Sequence, residues 1–141
     1  MDRNKPKQPH ILFLFSDTGG GHRSAAEAII EAIHLNYPGC FSTEMVDFFR
    51  EYAPPPFDLA PVIYPPMARM PDLWKFGYHL RNGPRRTRFF YDLMWPYIRH
   101  QSSRFYSEHP HDLLVSVHPV PVIPHSRTLH PGSPPFITVV T

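Results

Sequence analysis

Three glycines and a histidine stand where an apolar strand is expected to lead into a helix. Gly19, Gly20 and Gly21 are followed by His22 and Arg23. Consecutive glycines are expected where the chain turns tightly or where another molecule approaches the backbone closely. The first N–H groups of a helix have no partner inside the helix, so they can bind an anionic group such as a phosphate. The pattern therefore predicts a phosphate- or sugar-binding turn with a histidine at its edge.

His22 is the candidate catalytic base of this turn. The positive end of a helix dipole disfavours the protonated imidazole, so a histidine at a helix entrance stays available to take a proton from a substrate hydroxyl. Asp17 lies just before the glycines and is a second candidate, which could hydrogen-bond His22. The alternative is that His22 only satisfies a backbone carbonyl within a tight turn.

A second histidine is predicted at the same edge of the sheet. His118 and Pro119 directly follow the apolar segment at 112–117. In a parallel sheet the carboxyl ends of the strands meet at one edge, and ligands bind just beyond that edge. His118 could therefore orient a substrate hydroxyl through a hydrogen bond. A histidine before a proline can equally serve to fix a loop.

Several other chemistries are not predicted. The glycines do not form the Gly-x-x-x-x-Gly-Lys-Ser/Thr loop, and a Gly-x-Gly-x-x-Gly dinucleotide motif would need glycine where Ser24 stands. The histidine cluster of His109, His111 and His118 matches no common zinc spacing, and the chain has a single cysteine, Cys40, so no metal site is predicted. A net charge of +2 and the absence of a recognisable nucleic-acid-binding motif argue against a nucleic-acid partner.

The elements around these residues predict a doubly wound α/β domain with a parallel, Rossmann-like sheet. The apolar run at 11–15 is typical of a strand covered on both faces. Strands that alternate with helices indicate helices on both sides of the sheet. A chain of 141 residues is long enough for one such core. We expect strands at 11–16, 41–48, 112–117 and 136–141, the last of them buried, and helices at about 22–36 and 85–108, the second interrupted near Pro96.

The segment from 50 to 84 differs from the rest of the chain. It contains eight prolines, too many for a continuous helix, and it is richer in aromatic side chains than a disordered linker would be. Arginines follow it, and basic side chains beside aromatic rings are typical of a lipid interface. For the helix at 85–108 the favoured alternative is ordinary packing, with a core face formed by Phe89, Phe90, Leu93, Met94 and Tyr97.

Three segments resemble one family of enzymes. Ser16-Asp-Thr-Gly-Gly-Gly-His-Arg-Ser-Ala-Ala-Glu-Ala-Ile29 resembles the N-terminal signature of the monogalactosyldiacylglycerol synthase and diacylglycerol glucosyltransferase family, relatives of the peptidoglycan glycosyltransferase MurG. Val115-Ser-Val-His-Pro119 is similar to a Ser-Val-His-Pro segment of the same family, and Asp72-Leu-Trp-Lys75 to its tryptophan-containing stretch. The resemblance extends over residues 11–141.

The resemblance implies a fold and a reaction. It implies the N-terminal, acceptor-binding half of a two-domain GT-B glycosyltransferase, which transfers a hexose from UDP-galactose or UDP-glucose to diacylglycerol without a tightly bound cofactor. A C-terminal donor-binding domain is expected to be missing from a truncated chain. His22 would be the catalytic base with Asp17 beside it. The substrate-binding residues implied are Gly19, Gly20, Gly21, Arg23, Trp74, His118 and Pro119.

The same resemblance places acceptor and membrane contacts in the proline-rich segment. The predicted membrane contacts are Tyr64, Trp74, Phe76, Arg85 and Arg86, with diacylglycerol and anionic lipids as partners. Residues 1–10 are polar and predict a disordered lead rather than a signal peptide, and the sequence contains no apolar run of about 20 residues. A cytoplasmic, peripheral membrane protein is expected. The alternatives are a non-catalytic lipid-binding remnant and a MurG-like transferase to a polyprenyl-linked acceptor.

Overall fold

The computed structural model describes residues 8–18, 21–53, 55, 57–72, 75, 79, 83–119 and 121–141, and for 57, 60, 61, 64, 68, 90, 123 and 124 it describes the backbone alone. The strands are β1 (His10–Phe15), β2 (Ser42–Asp47), β3 (Leu113–Ser116) and β4 (Phe136–Thr138). The α-helices whose two ends both lie in the described residues are α1 (Gly21–Asn36), α2 (Phe48–Tyr52), α3 (Ala60–Ala68), α4 (Pro84–Glu108) and α5 (Val122–Ser126), and a short 3₁₀ helix spans Phe57–Leu59.

The four strands form one parallel sheet in the order β2-β1-β3-β4. β1 lies between β2 and β3, with Phe13 paired to Met45 on one side and to Val115 on the other. The chain moves from β1 to β2 in one direction and then crosses back to β3 on the far side of β1. This reversal confirms the predicted doubly wound, Rossmann-like α/β fold.

Both faces of the sheet are buried, as the apolar run in β1 predicts. On one face Ile11, Phe13 and Phe15 pack with Ala26 of α1. On the other face the alternate side chains of β1 pack with Phe105 of α4. Successive side chains of a strand point to opposite faces, so an uninterrupted apolar run supplies both cores at once.

A polar cluster links the amino ends of β1 and β2 to the end of α4. Glu44 accepts hydrogen bonds from His10 Nε2 (3.1 Å) and from His109 Nδ1 (2.7 Å). The Tyr52 hydroxyl lies 2.8 Å from His109 Nε2 and donates to Glu108 at 2.5 Å. Burial, together with the Glu108 carboxylate, raises the pKa of the Tyr52 phenol. The cluster connects the end of α4 to the sheet.

Two predictions about the elements are wrong. Helix α4 runs without interruption from Pro84 to Glu108, because the turns on both sides of Pro96 continue the helix around the one missing N–H. The last strand is short and largely exposed: β4 spans Phe136–Thr138, and the Ile137 side chain is 48% exposed. β4 pairs with β3 at the edge of the described sheet, so it has little cover.

Most of the predicted lead lies outside the described residues, and the proline-rich segment is described in part. Residues 1–7 lie outside the described residues, whereas His10, expected in the lead, already belongs to β1. In the proline-rich segment, the described part consists of short helices rather than one continuous helix, and α3 includes Pro65 and Pro66. Among the helices in the described ranges, none is both long enough and apolar enough to cross a membrane.

Two phenylalanines of α4 provide a test of this packing. Phe105 is 1% exposed in the core, whereas Phe89 is 69% exposed on the same helix. We expect Phe105→Ala to lower the free energy of unfolding by about 3–5 kcal/mol because it leaves a cavity. Phe89→Ala is the matched control and should change it by about 0.5 kcal/mol or less. Urea denaturation followed by circular dichroism measures both; equal effects would contradict the orientation of α4.

Candidate functional site

The candidate site lies where β1 and β3 end beside each other. After β1 the chain continues through Ser16, Asp17 and Thr18 towards the glycine turn, and after β3 it continues to His118. The Val117 N–H bonds the carbonyl of Leu14, which extends the pairing past the end of β3. Because β1 turns towards β2 on the opposite side, a crevice is expected at this edge. The predicted meeting of the two motifs is therefore present.

His22 and His118 are in direct contact. Their ring centroids are 4.5 Å apart in an edge-to-face arrangement. His22 Nδ1 lies 2.9 Å from the hydroxyl of Thr141, and His118 Nε2 lies 3.3 Å from the hydroxyl of Thr18. His22 Nε2 has no hydrogen bond to the described residues. When His22 donates through Nδ1 to Thr141, Nε2 carries the lone pair and can accept a proton.

His118 is a buried, neutral imidazole. Its side chain packs edge-to-face on Phe49, and 7% of the residue is exposed. Burial, with a smaller contribution from the nearby His22, lowers the pKa of His118 to about 4. His118 therefore carries no charge at neutral pH.

Asp17 binds Arg23 and not His22. The Arg23 guanidinium donates to both carboxylate oxygens of Asp17, at 2.9 and 2.7 Å, and also lies 4.5 Å from the centre of the Phe15 ring. The hydrogen bonds from Arg23 hold the pKa of Asp17 below its ordinary range. The expected bond between Asp17 and His22 is wrong because the side chain one residue later on α1 offers a bidentate, charged partner.

Asp47 organises the base of the site and was missed in the sequence. One of its carboxylate oxygens accepts the N–H groups of Phe49 and Arg50, each at 3.1 Å, which caps α2. The other accepts the N–H of Asp17 at 3.2 Å. An aspartate between a strand and a helix is an N-cap signal that the sequence contains. Its second bond, to the end of β1, depends on the strand order and has no sequence signal.

The other predicted residues are only partly described. Gly19, Gly20, Trp74 and Phe76 lie outside the described residues, and only the backbone of Tyr64 is described, within α3. Gly21 is the first residue of α1, and Pro119 is exposed directly after His118.

Arg85 and Arg86 occupy a separate place, at the amino end of α4. With His79, Gly83 and Pro84 they line an open cavity of about 480 Å³. Arg86 donates to the carbonyl of His79 at 3.1 Å. The two arginines therefore belong to another surface and not to the His22–His118 pair.

The three histidines that lie near one another in the sequence, His109, His111 and His118, are divided between the two ends of the sheet. His109 and His111 precede β3, whereas His118 follows it. His109 bonds Glu44 and the Tyr52 hydroxyl. Within the part of the chain that the structure describes, no group of three histidine, cysteine or acidic side chains is arranged to hold a metal ion.

Comparison with known proteins identifies the relatives of the chain. Residues 22–141 match the family described as monogalactosyldiacylglycerol (MGDG) synthase. A probable monogalactosyldiacylglycerol synthase 2 of Oryza sativa subsp. indica is 33% identical over 139 residues, which cover 94% of this chain and 29% of the relative. The monogalactosyldiacylglycerol synthase of Spinacia oleracea is 30% identical over 117 residues, covering 82% and 22%.

A third relative, monogalactosyldiacylglycerol synthase 1 of Arabidopsis thaliana, is 28% identical over 120 residues, which cover 85% of this chain and 22% of the relative. All three relatives carry the word chloroplastic in their names. The chain spans less than a third of the length of these relatives. No solved structure matches the chain significantly.

The lowered pKa of His118 predicts a loss of stability in acid. The ordinary histidine pKa is 6.5, so the unfolded chain binds a proton at His118 as the pH falls below that value. The folded chain binds this proton only near pH 4, so the unfolded state is favoured between the two values. Between pH 7 and 4.5 the wild type should therefore lose about 2 kcal/mol more stability than His118→Asn. His125, whose pKa is also lowered to about 4, contributes equally to both proteins.

Urea denaturation at the two pH values measures this difference. The exposed His34 on α1 provides the control, since His34→Asn should keep the acid sensitivity of the wild type. An unchanged pH dependence in His118→Asn would contradict the burial of a neutral His118.

Proposed function

The chain belongs to the monogalactosyldiacylglycerol synthase family, and on that premise we propose that it forms the acceptor-binding part of a lipid glycosyltransferase. Its Rossmann-like sheet corresponds to the N-terminal half of the family's GT-B architecture. The acceptor is diacylglycerol, and the donor is a UDP-hexose, UDP-galactose or UDP-glucose. A second, donor-binding domain outside this chain holds most of the nucleotide sugar.

One observation carries the proposal. His22 stands at the amino end of α1, 4.5 Å from His118, at the edge of the sheet where ligands of doubly wound folds bind. Each histidine has one ring nitrogen near a threonine hydroxyl, Thr141 for His22 and Thr18 for His118. Such contacts set the orientation of an imidazole, and in the tautomer that donates through Nδ1 to Thr141 the Nε2 atom of His22 is unprotonated. An oriented imidazole with a free nitrogen is what a general base requires.

The proposed reaction is a single displacement at the sugar. The diacylglycerol hydroxyl loses its proton to His22 Nε2 as its oxygen forms a bond to the anomeric carbon of the hexose. The bond between that carbon and the diphosphate oxygen breaks, and the leaving group is uridine diphosphate. A base in this role must come within about 2.6–3.2 Å of the hydroxyl oxygen in the productive complex.

Two neighbours of His22 place no uncompensated positive charge beside it. His118 stays neutral because burial lowers its pKa to about 4, so it does not compete for the proton. The positive charge of Arg23 is compensated by the Asp17 carboxylate, to which its guanidinium donates two hydrogen bonds. We propose that Asp17 and Arg23 act as positioning residues, which fix the start of α1 relative to β1, and not as proton carriers.

The glycine turn provides space for the sugar diphosphate. A side chain at Gly21 would project into open space, with nothing within 4 Å of its Cβ. Neither packing nor a positive φ therefore requires glycine at this position. A ligand that approaches the backbone closely would explain why glycine stands there. We propose that the N–H groups at the start of α1, together with Gly19 and Gly20, help to bind the leaving group.

The lipid acceptor implies that the protein works at a membrane surface. Val62, Ile63 and Met70 are exposed apolar side chains in and just after α3, within the segment expected to contact lipid. We propose peripheral association on the cytoplasmic side, with Tyr64, Trp74 and Phe76 at the headgroup level and Arg85 and Arg86 on anionic lipids. Pro119, exposed beside His118, and Trp74 would border the path of the acceptor.

A chimera tests the proposed function. The matching segment of the Oryza sativa relative is replaced by residues 8–141, and the transfer of labelled hexose from UDP-galactose or UDP-glucose to detergent-dispersed diacylglycerol is measured. His22→Ala should lower the turnover by about 10²–10⁴-fold, because the hydroxyl loses its base. His34→Ala, on the same helix, is the control and should keep near-normal turnover.

Diacylglycerol binding should be unchanged in His22→Ala. Near-normal turnover of that variant would remove the assignment of His22 as base. Transfer to a polyprenyl-linked acceptor but not to diacylglycerol would replace the proposed acceptor. Lipid binding by a folded chimera without transfer from either donor would identify a non-catalytic lipid-binding domain.

A further inference from the structure

Helix α4 carries an apolar surface that is turned away from the core. Phe89, Leu93 and Tyr97 are 69%, 66% and 47% exposed. They are spaced four residues apart, which places them along one side of an α-helix. We call this surface the outer face of α4. The sequence favoured these side chains as a core face, and the structure contradicts that prediction, because the helix turns its opposite side inwards.

The position of α4 explains why this side is uncovered. Among the described side chains of the helix, those buried are Ser102 and Phe105, both near its carboxyl end. Further towards the amino end, the inward side is only half-buried and is formed by Thr87, Tyr91, Met94 and Ile98. The helix has 25 residues, so its amino-terminal part extends well beyond the sheet that its last turns cover. The outer face belongs to this extended part.

Arginines border the outer face. Arg85 and Arg86 lie four and three residues before Phe89, which places them on the same side of the helix at the amino end of the outer face. Neither arginine forms an ion pair with the described residues. The nearest acid along the helix, Asp92, is already shared by Arg88 at 3.9 Å and Arg127 at 2.5 Å. Within the described residues, the surface therefore combines exposed apolar side chains with arginines that have no acidic partner.

We propose that the outer face of α4 is the surface through which this domain docks on an anionic membrane. The helix lies in the plane of the interface, with Phe89 and Leu93 at the level of the upper acyl chains and the Tyr97 hydroxyl among the headgroups. The arginines contact lipid phosphates. The choice of a lipid surface as partner rests on the proposed function. The docking residues themselves follow from the exposure and charge of α4.

A membrane fits this surface better than a second copy of the chain. The apolar part from Phe89 to Tyr97 is about 12 Å long and one side chain wide. A stable protein interface covers about 800 Å² on each partner, far more than three side chains supply. Two copies facing each other would also bring their arginines together. An anionic lipid surface needs no matching shape and attracts these arginines.

Vesicle flotation tests the proposal with the purified chain. The vesicles contain phosphatidylcholine and phosphatidylglycerol in a ratio of about 7:3, chosen to give the negative surface potential on which the proposal depends. The double variant Phe89→Ala/Leu93→Ala should bind at least about tenfold more weakly than the wild type, because two inserting side chains are truncated. Leu35→Ala, which truncates a leucine that is 75% exposed on α1, is the matched control and should bind like the wild type.

Two further measurements identify the contact. Binding should fall at least about tenfold on vesicles of phosphatidylcholine alone and should weaken with salt, as expected for arginines on an anionic surface. In a chain whose native tryptophans Trp74 and Trp95 are both replaced by phenylalanine, a tryptophan placed by Leu93→Trp should be quenched by brominated acyl chains, and one placed by Leu35→Trp should not. Circular dichroism confirms that each variant keeps its helices.

Undiminished vesicle binding by the folded double variant would overturn the proposal, as would an unquenched tryptophan at position 93. A concentration-dependent dimer that the double variant abolishes, without vesicle binding by the wild type, would assign the surface to a second copy. Hexose transfer to detergent-dispersed diacylglycerol needs no membrane, so failure of the docking surface would leave that assay unchanged. Failure of the proposed function would appear in that assay and not in flotation.

Discussion

The central strand β1 is the constraint on which the sheet, both cores and the candidate site depend. Its residues Ile11–Phe15 are all buried, and they pair with β2 on one side and with β3 on the other. Alternate side chains fill the two clusters, beneath α1 and beneath α4. Because β1 is fixed from four directions, the residues that follow it have a defined starting point. The glycine turn and His22 are positioned from that point.

The charges around His22 are each fixed by a partner or by burial. Asp17 is held by Arg23, and the Asp47 carboxylate accepts three backbone N–H groups. His118 is kept neutral by burial. Each of these groups has a partner or an environment that fixes its charge, and each also holds part of the backbone in place. The same contacts thus fix the charges of these groups and hold the backbone at the ends of the two short strands in place.

The sequence predicted the features that depend on local residue patterns. Predictions of features that depend on contacts between distant segments failed. The apolar run of β1 and the spacing of α1 gave the two elements within one residue, and parallel strand ends predicted that His22 and His118 would meet. The predicted partner of Asp17 was wrong. After a glycine turn, the sequence does not fix which side chain in the first turn of the next helix comes closest to the aspartate. The predicted core face of α4 was wrong because an amphipathic pattern does not say which side of a helix meets the core. The exposure of β4 follows from its position at the sheet edge, which only the strand order determines.

The central claim is that the acceptor hydroxyl binds beside His22 and His118. The direct measurement is nuclear magnetic resonance of the chain with ¹⁵N-labelled histidine, titrated with a short-chain diacylglycerol in micelles and assigned by single His→Gln variants. The account predicts saturable shifts of the His22 and His118 imidazole resonances, while His34 and His125, which lie away from this edge of the sheet, stay unchanged. Unmoved resonances of His22 and His118, or shifts confined to His125, would contradict it.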